Sequence, residues 1–181
     1  MHQEFVGPKS DKLLGKRVGT ALAAILVAAV TLLLFAVFTP TAAAPQVTFV
    51  SLKGEKTTTA GLRGKVVLVN FWATDCPVCL KEMPDMVRTY ERYRDRGFEF
   101  IAVAMRYDPP NYVVAYAEKN RLPFTVALDP MGEIAQAFGN VNLTPTTFVI
   151  DKRGNIVLRV SSEPDFARLH ALLEEKLNEA I

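Results

Sequence analysis

The sequence predicts an α/β domain: a mixed β-sheet with helices on both faces, preceded by one transmembrane helix. Three observations carry this. No charge interrupts the chain from Val18 to Phe38. Val66-Val67-Leu68-Val69-Asn70-Phe71 is almost wholly apolar, as expected of a strand buried on both faces. Around it, strand-like and helix-like segments follow the order βαβαβ and then ββα, which requires both parallel and antiparallel pairing.

Composition narrows the function. The chain has 181 residues, 50% of them hydrophobic, and a formal charge of +2. That length suits one domain. Lys9, Lys12, Lys16 and Arg17 against Glu4 and Asp11 account for the whole net charge, so 46–181 is neutral. A neutral domain is not a nucleic-acid binder held by phosphate contacts. Two cysteines are too few for a disulfide-stapled scaffold or a four-Cys zinc site. His2 and His170 lie near opposite ends, against a His-rich metal site.

Each element has a reason. Residues 1–17 are the basic flank. A helix over 18–38, at ~1.5 Å per residue, spans a hydrocarbon core of roughly 30 Å. No Lys or Arg follows until Lys53, so the positive-inside rule puts 1–17 in the cytoplasm and the rest outside. A cleaved signal peptide is the competing reading, with Ala42-Ala43-Ala44 as small residues at the cut. The apolar run exceeds the usual ~7–15 residues and Pro45 follows the bond, so an uncleaved anchor is expected. Residues 39–45 read as a linker and 46–181 as the folded domain.

Within that domain Val47–Leu52 alternates as an edge strand, and Lys53–Lys65 reads as a loop. A helix starts near Pro77 and runs to about Arg96, where Gly97 stops it. Phe98–Ala104 is a strand, and Pro109–Asn120 a helix with Pro in its first turn. Phe124–Leu128 is a strand, and Ile134–Phe138 a short helix ended by Gly139. Thr146–Ile150 and Ile156–Val160 form a hairpin through Asp151–Asn155. Pro164–Ala180 is an amphipathic helix with Phe166, Leu169, Leu172, Leu173 and Leu177 toward the core. His170 on it reads as capping or exposed, and Met83 and Met86 read as core.

The chemistry sits at Cys76-Pro77-Val78-Cys79, between the buried strand and a helix start. Backbone N–H groups and the dipole there favour a thiolate, the reactive form. Pro77 fits the first helical position because its missing N–H leaves nothing unsatisfied. Cys76 falls near the N-cap with its sulfur toward solvent, and Cys79 one turn in. A disulfide across two residues removes little loop entropy, so it staples poorly but switches well. Zinc lacks a second ligand pair, and haem attachment would need His where Leu80 stands. Copper binding through the two sulfurs and an inert pair remain beside thiol–disulfide exchange.

Further residues extend this. Phe71-Trp72-Ala73-Thr74-Asp75-Cys76-Pro77-Val78-Cys79 resembles the thioredoxin active-site segment, and Pro84 the proline inside the helix that follows. Thr144-Pro145-Thr146-Thr147-Phe148 resembles the cis-proline loop. The stretch 46–181 is similar to membrane-anchored, extracytoplasmic thioredoxins of the TlpA/ResA type. That resemblance implies a thioredoxin fold with an extra N-terminal strand and a βα insertion, here within Phe98–Leu128. It implies a redox-active Cys76–Cys79 pair with no other cofactor, and an enzyme that reduces protein disulfides. Cys76 would attack, Cys79 resolve, Glu82 manage the resolving proton, and Pro145, in cis, align the client with Thr144. Trp72, Asp75 and Pro77 are the other client-side residues expected.

The implied partners are a client disulfide, in an apocytochrome c or another exported metal-site protein, and a membrane thiol electron donor. The implied place is the bacterial inner membrane, with the domain on its outer side. Asn70 stands where thioredoxins carry a buried Asp. Asp75 stands where the family usually has Trp, and an acid beside Cys76 raises its pKa and favours a reducing poise. Pro77-Val78 reverses the commoner dipeptide order. Met105–Pro110 is a candidate wall of the partner groove. Two alternatives differ in class. A peroxiredoxin-like peroxidase would need a Pro-x-x-x-Thr/Ser-x-x-Cys pattern, absent at both cysteines, and a non-enzymatic copper carrier would bind Cu(I) tightly with little disulfide reduction.

Overall fold

A computed structural model describes residues 27–29 and 42–180. The expected transmembrane helix over 18–38 lies outside the described residues, apart from 27–29. Among the described residues no helix is long and apolar enough to cross a membrane.

The centre is β3 (Val66–Trp72), buried at every position. Its side chains alternate between two cores. Val66, Leu68 and Trp72 face one, and Val67, Val69 and Phe71 the other. β3 pairs in parallel with β4 (Phe98–Ala104), and β4 in parallel with β5 (Thr125–Leu128). On its other side β3 pairs antiparallel with β6 (Thr146–Ile150), and β6 antiparallel with β7 (Ile156–Val160). The order β5-β4-β3-β6-β7 is the mixed sheet expected.

Among the described residues four helices cover it: α1 (Pro77–Tyr93), α2 (Pro110–Lys119), α3 (Glu133–Ala137) and α4 (Phe166–Asn178). α1 and α4 seal the first core with Met83, Met86, Tyr93, Leu169, Leu173 and Leu177. α3 seals the second. There Phe138 meets the rings of Phe71 at 5.5 Å and Phe148 at 5.0 Å. This mixed sheet flanked by helices is the thioredoxin fold.

Helix ends fall where backbone chemistry puts them. α1 passes into a short 3-10 turn over Arg94–Arg96, and Gly97 ends it at φ 83°, a conformation that suits a residue without Cβ. Asp165 caps α4 by accepting from the N–H groups of Ala167 and Arg168. Asp165→Ala is expected to cost about 1 kcal/mol, lowering the thermal midpoint by roughly 3 °C, as calorimetry would show.

Three expectations need correction. The edge strand is shorter, β1 (Thr48–Val50), and the segment read as a loop contains its partner β2 (Lys56–Thr58) and a 3-10 turn over Ala60–Leu62. Thr57 and Thr58 suit a strand, but the surrounding glycines and lysines concealed them. This hairpin leans on the open edge of β5, where Leu52 N–H donates to Val126 O. Residues 42–45, read as linker, are also part of the fold. Ala43 bridges Asn155, Ala44 N–H donates to Gly154 O, and Ala44 is buried. Their small side chains let the backbone lie against the β6–β7 turn. His170 is neither a cap nor exposed. It is half-buried, edge-on to Tyr93 and Phe166, with Nε2 2.9 Å from Thr89 Oγ1.

Candidate active site

Cys76 and Cys79 form a disulfide, with Sγ–Sγ at 2.17 Å and Cα–Cα at 5.3 Å. Cys76 is the N-cap of α1, and its sulfur accepts the Cys79 N–H at 3.2 Å. Pro77 follows at the first helical position. The two sulfurs are not equivalent: Cys76 keeps 9% exposure and Cys79 none. An incoming group therefore reaches Cys76 first. A thiolate there would sit at the positive end of a 17-residue helix.

Sheet register brings the second loop to the same end. Phe71 pairs with Thr146, so the chain leaving β3 toward Cys76 and the chain entering β6 from Pro145 emerge side by side. The Thr144–Pro145 peptide is cis. Pro145 is buried, Thr144 half-buried and Leu143 exposed. The turn after β4 joins both loops. Tyr107 Oη lies 3.4 Å from Thr144 Oγ1, and the Asp108 carboxylate accepts from Thr74.

Beneath the disulfide lies a buried polar group. Glu82 is 1% exposed, three residues past Cys79 on the same helix face. Its Oε1 accepts from Asn70 Nδ2 at 3.0 Å, and Asn70 Nδ2 also donates to Thr147 Oγ1 at 3.0 Å. Glu82 Oε2 has no hydrogen-bond partner. Burial pushes this carboxyl up to about 7, against the Asn70 hydrogen bond, with the charge of Glu163 adding to the rise. Glu82 is therefore poised to exchange a proton near neutrality.

The remaining expected residues separate. Asp75 and Pro77 are exposed beside Cys76, where a partner can touch them. Trp72 is fully buried and packs on Tyr116 at 5.3 Å, so it supports the site from inside the core and presents no surface to a client. Sequence reasoning missed Thr147 and Asp108. Nothing local distinguishes Thr147 from other strand threonines. Asp108 fell within Met105–Pro110, the candidate wall of the partner groove, but nothing in the sequence pointed to its bond with Thr74. Among the described residues no group of three or more His, Cys, Asp or Glu side chains is placed to hold a metal ion.

Comparison with known proteins agrees with this geometry. Residues 39–173 match the Redoxin family. The ResA thiol-disulfide oxidoreductase of Bacillus thuringiensis subsp. konkukian is 35% identical over 133 residues, covering 73% of this chain and 75% of that protein. The ResA of Geobacillus kaustophilus is 38% identical over 113 residues, 62% of this chain and 64% of that one. Among solved structures, a thioredoxin-family thiol:disulfide interchange protein of Chlorobium tepidum superposes with a TM-score of 0.70 at 30% identity, over 77% of this chain and 99% of that one. With the redox disulfide at a helix N-terminus, the chain belongs to the Redoxin family, as a thioredoxin-fold thiol–disulfide oxidoreductase closely related to the ResA proteins.

Proposed function

We propose that the protein works as a reductase of protein disulfides outside the cytoplasm. The observation that carries this is the inequality of the two cysteines: Cys76 keeps 9% exposure, whereas Cys79 is fully buried, three residues along the same helix from the buried Glu82 carboxyl. In the reduced protein, the Cys76 thiolate attacks one sulfur of a client disulfide. A Cys76–client disulfide forms, and the client's other sulfur leaves as a thiolate. Cys79 then gives its proton to the Glu82 carboxylate, attacks Cys76 and expels the client's first sulfur. The client gains two electrons, its two thiolates take up protons from water as Glu82 releases its own, and the protein is left in the disulfide form seen here. Re-reduction takes two electrons from a dithiol donor, which we place in the membrane.

Thr144 and Pro145 align the client strand, and Asp75 and Pro77 border its cysteine. Exposed Val78, Tyr107 and Leu143 give that strand an apolar surface. An apocytochrome c or another exported metal-site protein is the client favoured by the resemblance to ResA-type proteins. Residues 18–38 anchor the chain, with 1–17 in the cytoplasm, 39–41 leading outward and 42–181 active outside. The uncharged run and its basic flank support that arrangement.

The reduction potential tests the direction of electron flow. The full chain, equilibrated against defined thiol buffers, is expected at or below the ~−270 mV of thioredoxin. A value between ~−180 and −120 mV would make it an oxidant or isomerase.

A further inference from the structure

We propose that Asp108 is a positioning residue for Cys76, holding the turn that presents the attacking sulfur and opposing its thiolate with a buried negative charge. Asp108 lies in the turn between β4 and α2 and is 5% exposed. Its Oδ2 accepts the backbone N–H of Thr74 at 2.6 Å, and its Oδ1 accepts the Thr74 hydroxyl at 2.5 Å. Thr74 is inside the turn that Cys76 N–H closes on Ala73 O at 3.2 Å. Asp108 thus grips the middle of the three-residue step from the sheet to the N-cap of α1.

Among the described residues no Lys, Arg or His forms an ion pair with Asp108. A buried carboxylate without a cation is costly, and two donors from one residue are what compensate it. Its charge bears on the turn two residues from Cys76, and a like charge there disfavours the thiolate. The helix N-terminus favours the Cys76 thiolate, and Asp108 works against it. A less stable thiolate gives a less stable reduced form and a more reducing pair.

The other ionisable groups around the first turns of α1 and in the facing turn include Asp75, Glu82, Lys81 paired with Glu163, Asp85 paired with Arg88, Arg106 and Tyr107. They are unchanged in the variants below, so differences between variants report the Thr74–Asp108 contact. The same turn reaches the facing loop through Tyr107 and Thr144, so one short segment braces both sides of the client site.

The inference rests on Cys76 being the attacking thiol. That assignment is tested separately by Cys76→Ser and Cys79→Ser, because alkylation of Cys76 reports its own ionisation whichever sulfur attacks. The test measures the rate of Cys76 alkylation by iodoacetamide against pH, in the reduced full chain, by mass spectrometry. Asp108→Asn keeps an acceptor for Thr74 but removes the charge. It is expected to lower the Cys76 pKa by about one unit. It should also shift the disulfide equilibrium with glutathione about tenfold toward the reduced form, a change of ~30 mV. Thr74→Val removes one donor and leaves the carboxylate less compensated, so it should move the Cys76 pKa upward. These opposite signs support the proposal. Both variants moving the pKa in the same direction, or neither moving it while the thermal midpoint falls, would overturn it. If Asp108→Asn does not fold, Thr74→Val decides alone: an upward shift supports the proposal, and no shift or a downward one overturns it.

Discussion

Replacing Cys79 with Ser is expected to convert the protein from a catalyst into a trap. Cys76 keeps its place at the N-cap of α1 and its 9% exposure, so it still attacks a client disulfide. The mixed disulfide then has no internal thiol to resolve it. The introduced hydroxyl occupies the fully buried position of Cys79 and cannot attack the mixed disulfide. Reduction of insulin should fall on the order of 10³-fold or more, with a covalent adduct accumulating on non-reducing gels. Cys76→Ser should lose as much activity but form no adduct, because the remaining thiol is sealed under the surface. An adduct through Cys79 in that variant would reverse the roles and refute the proposed order of attack. In cells, the Cys79→Ser chain should retain its natural client, which makes it the route to that client's identity.

Much of this site was legible before any coordinate. Cys-Pro-Val-Cys after an apolar strand marks a helix start by local rules alone: proline suits the first helical position, and the residue before it becomes the cap. β3 was legible because a strand buried on both faces needs an unbroken apolar run. Gly97 and Gly139 both take positive φ and end their helices where they were expected to. What stayed hidden depends on pairing between distant parts of the chain. β2 is polar because one side of its hairpin faces water, and only its partner β1 makes it a strand. Ala42–Ala44 looks like a linker until the β6–β7 turn gives its backbone a partner. Asp108 is 34 positions from Thr74, and no local pattern encodes a bond across that distance. The resemblance placed Trp72 among the client-side residues. Strand alternation decides otherwise, turning it into the core beside Tyr116.

Glu82→Gln should separate the cost of this site from its use. The Glu82 carboxyl titrates near 7 in the fold, against an ordinary value of 4.5. Between those values the native protein holds a proton that the unfolded chain has released. Stability therefore falls as pH rises from about 4.5 to 7, and stays at the lower level above that. The full drop is of order 3 kcal/mol, since one unit corresponds to about 1.4 kcal/mol. Gln cannot ionise, so denaturant midpoints of Glu82→Gln should be flat across this window. The variant should match the wild type near pH 4.5 and exceed it at pH 8. Catalysis should move the other way. Cys79 is sealed from water, and Glu82 is the buried base on its helix face. Without it, the resolving step should slow about 10²-fold and lose its inflection near pH 7, while alkylation of Cys76 proceeds as before. A variant that became more stable at pH 8 yet resolved mixed disulfides at the wild-type rate would show that the carboxyl is buried for another reason. Gain in stability with loss of resolution is the pattern expected where a fold accepts a misplaced charge because its chemistry needs a proton acceptor there.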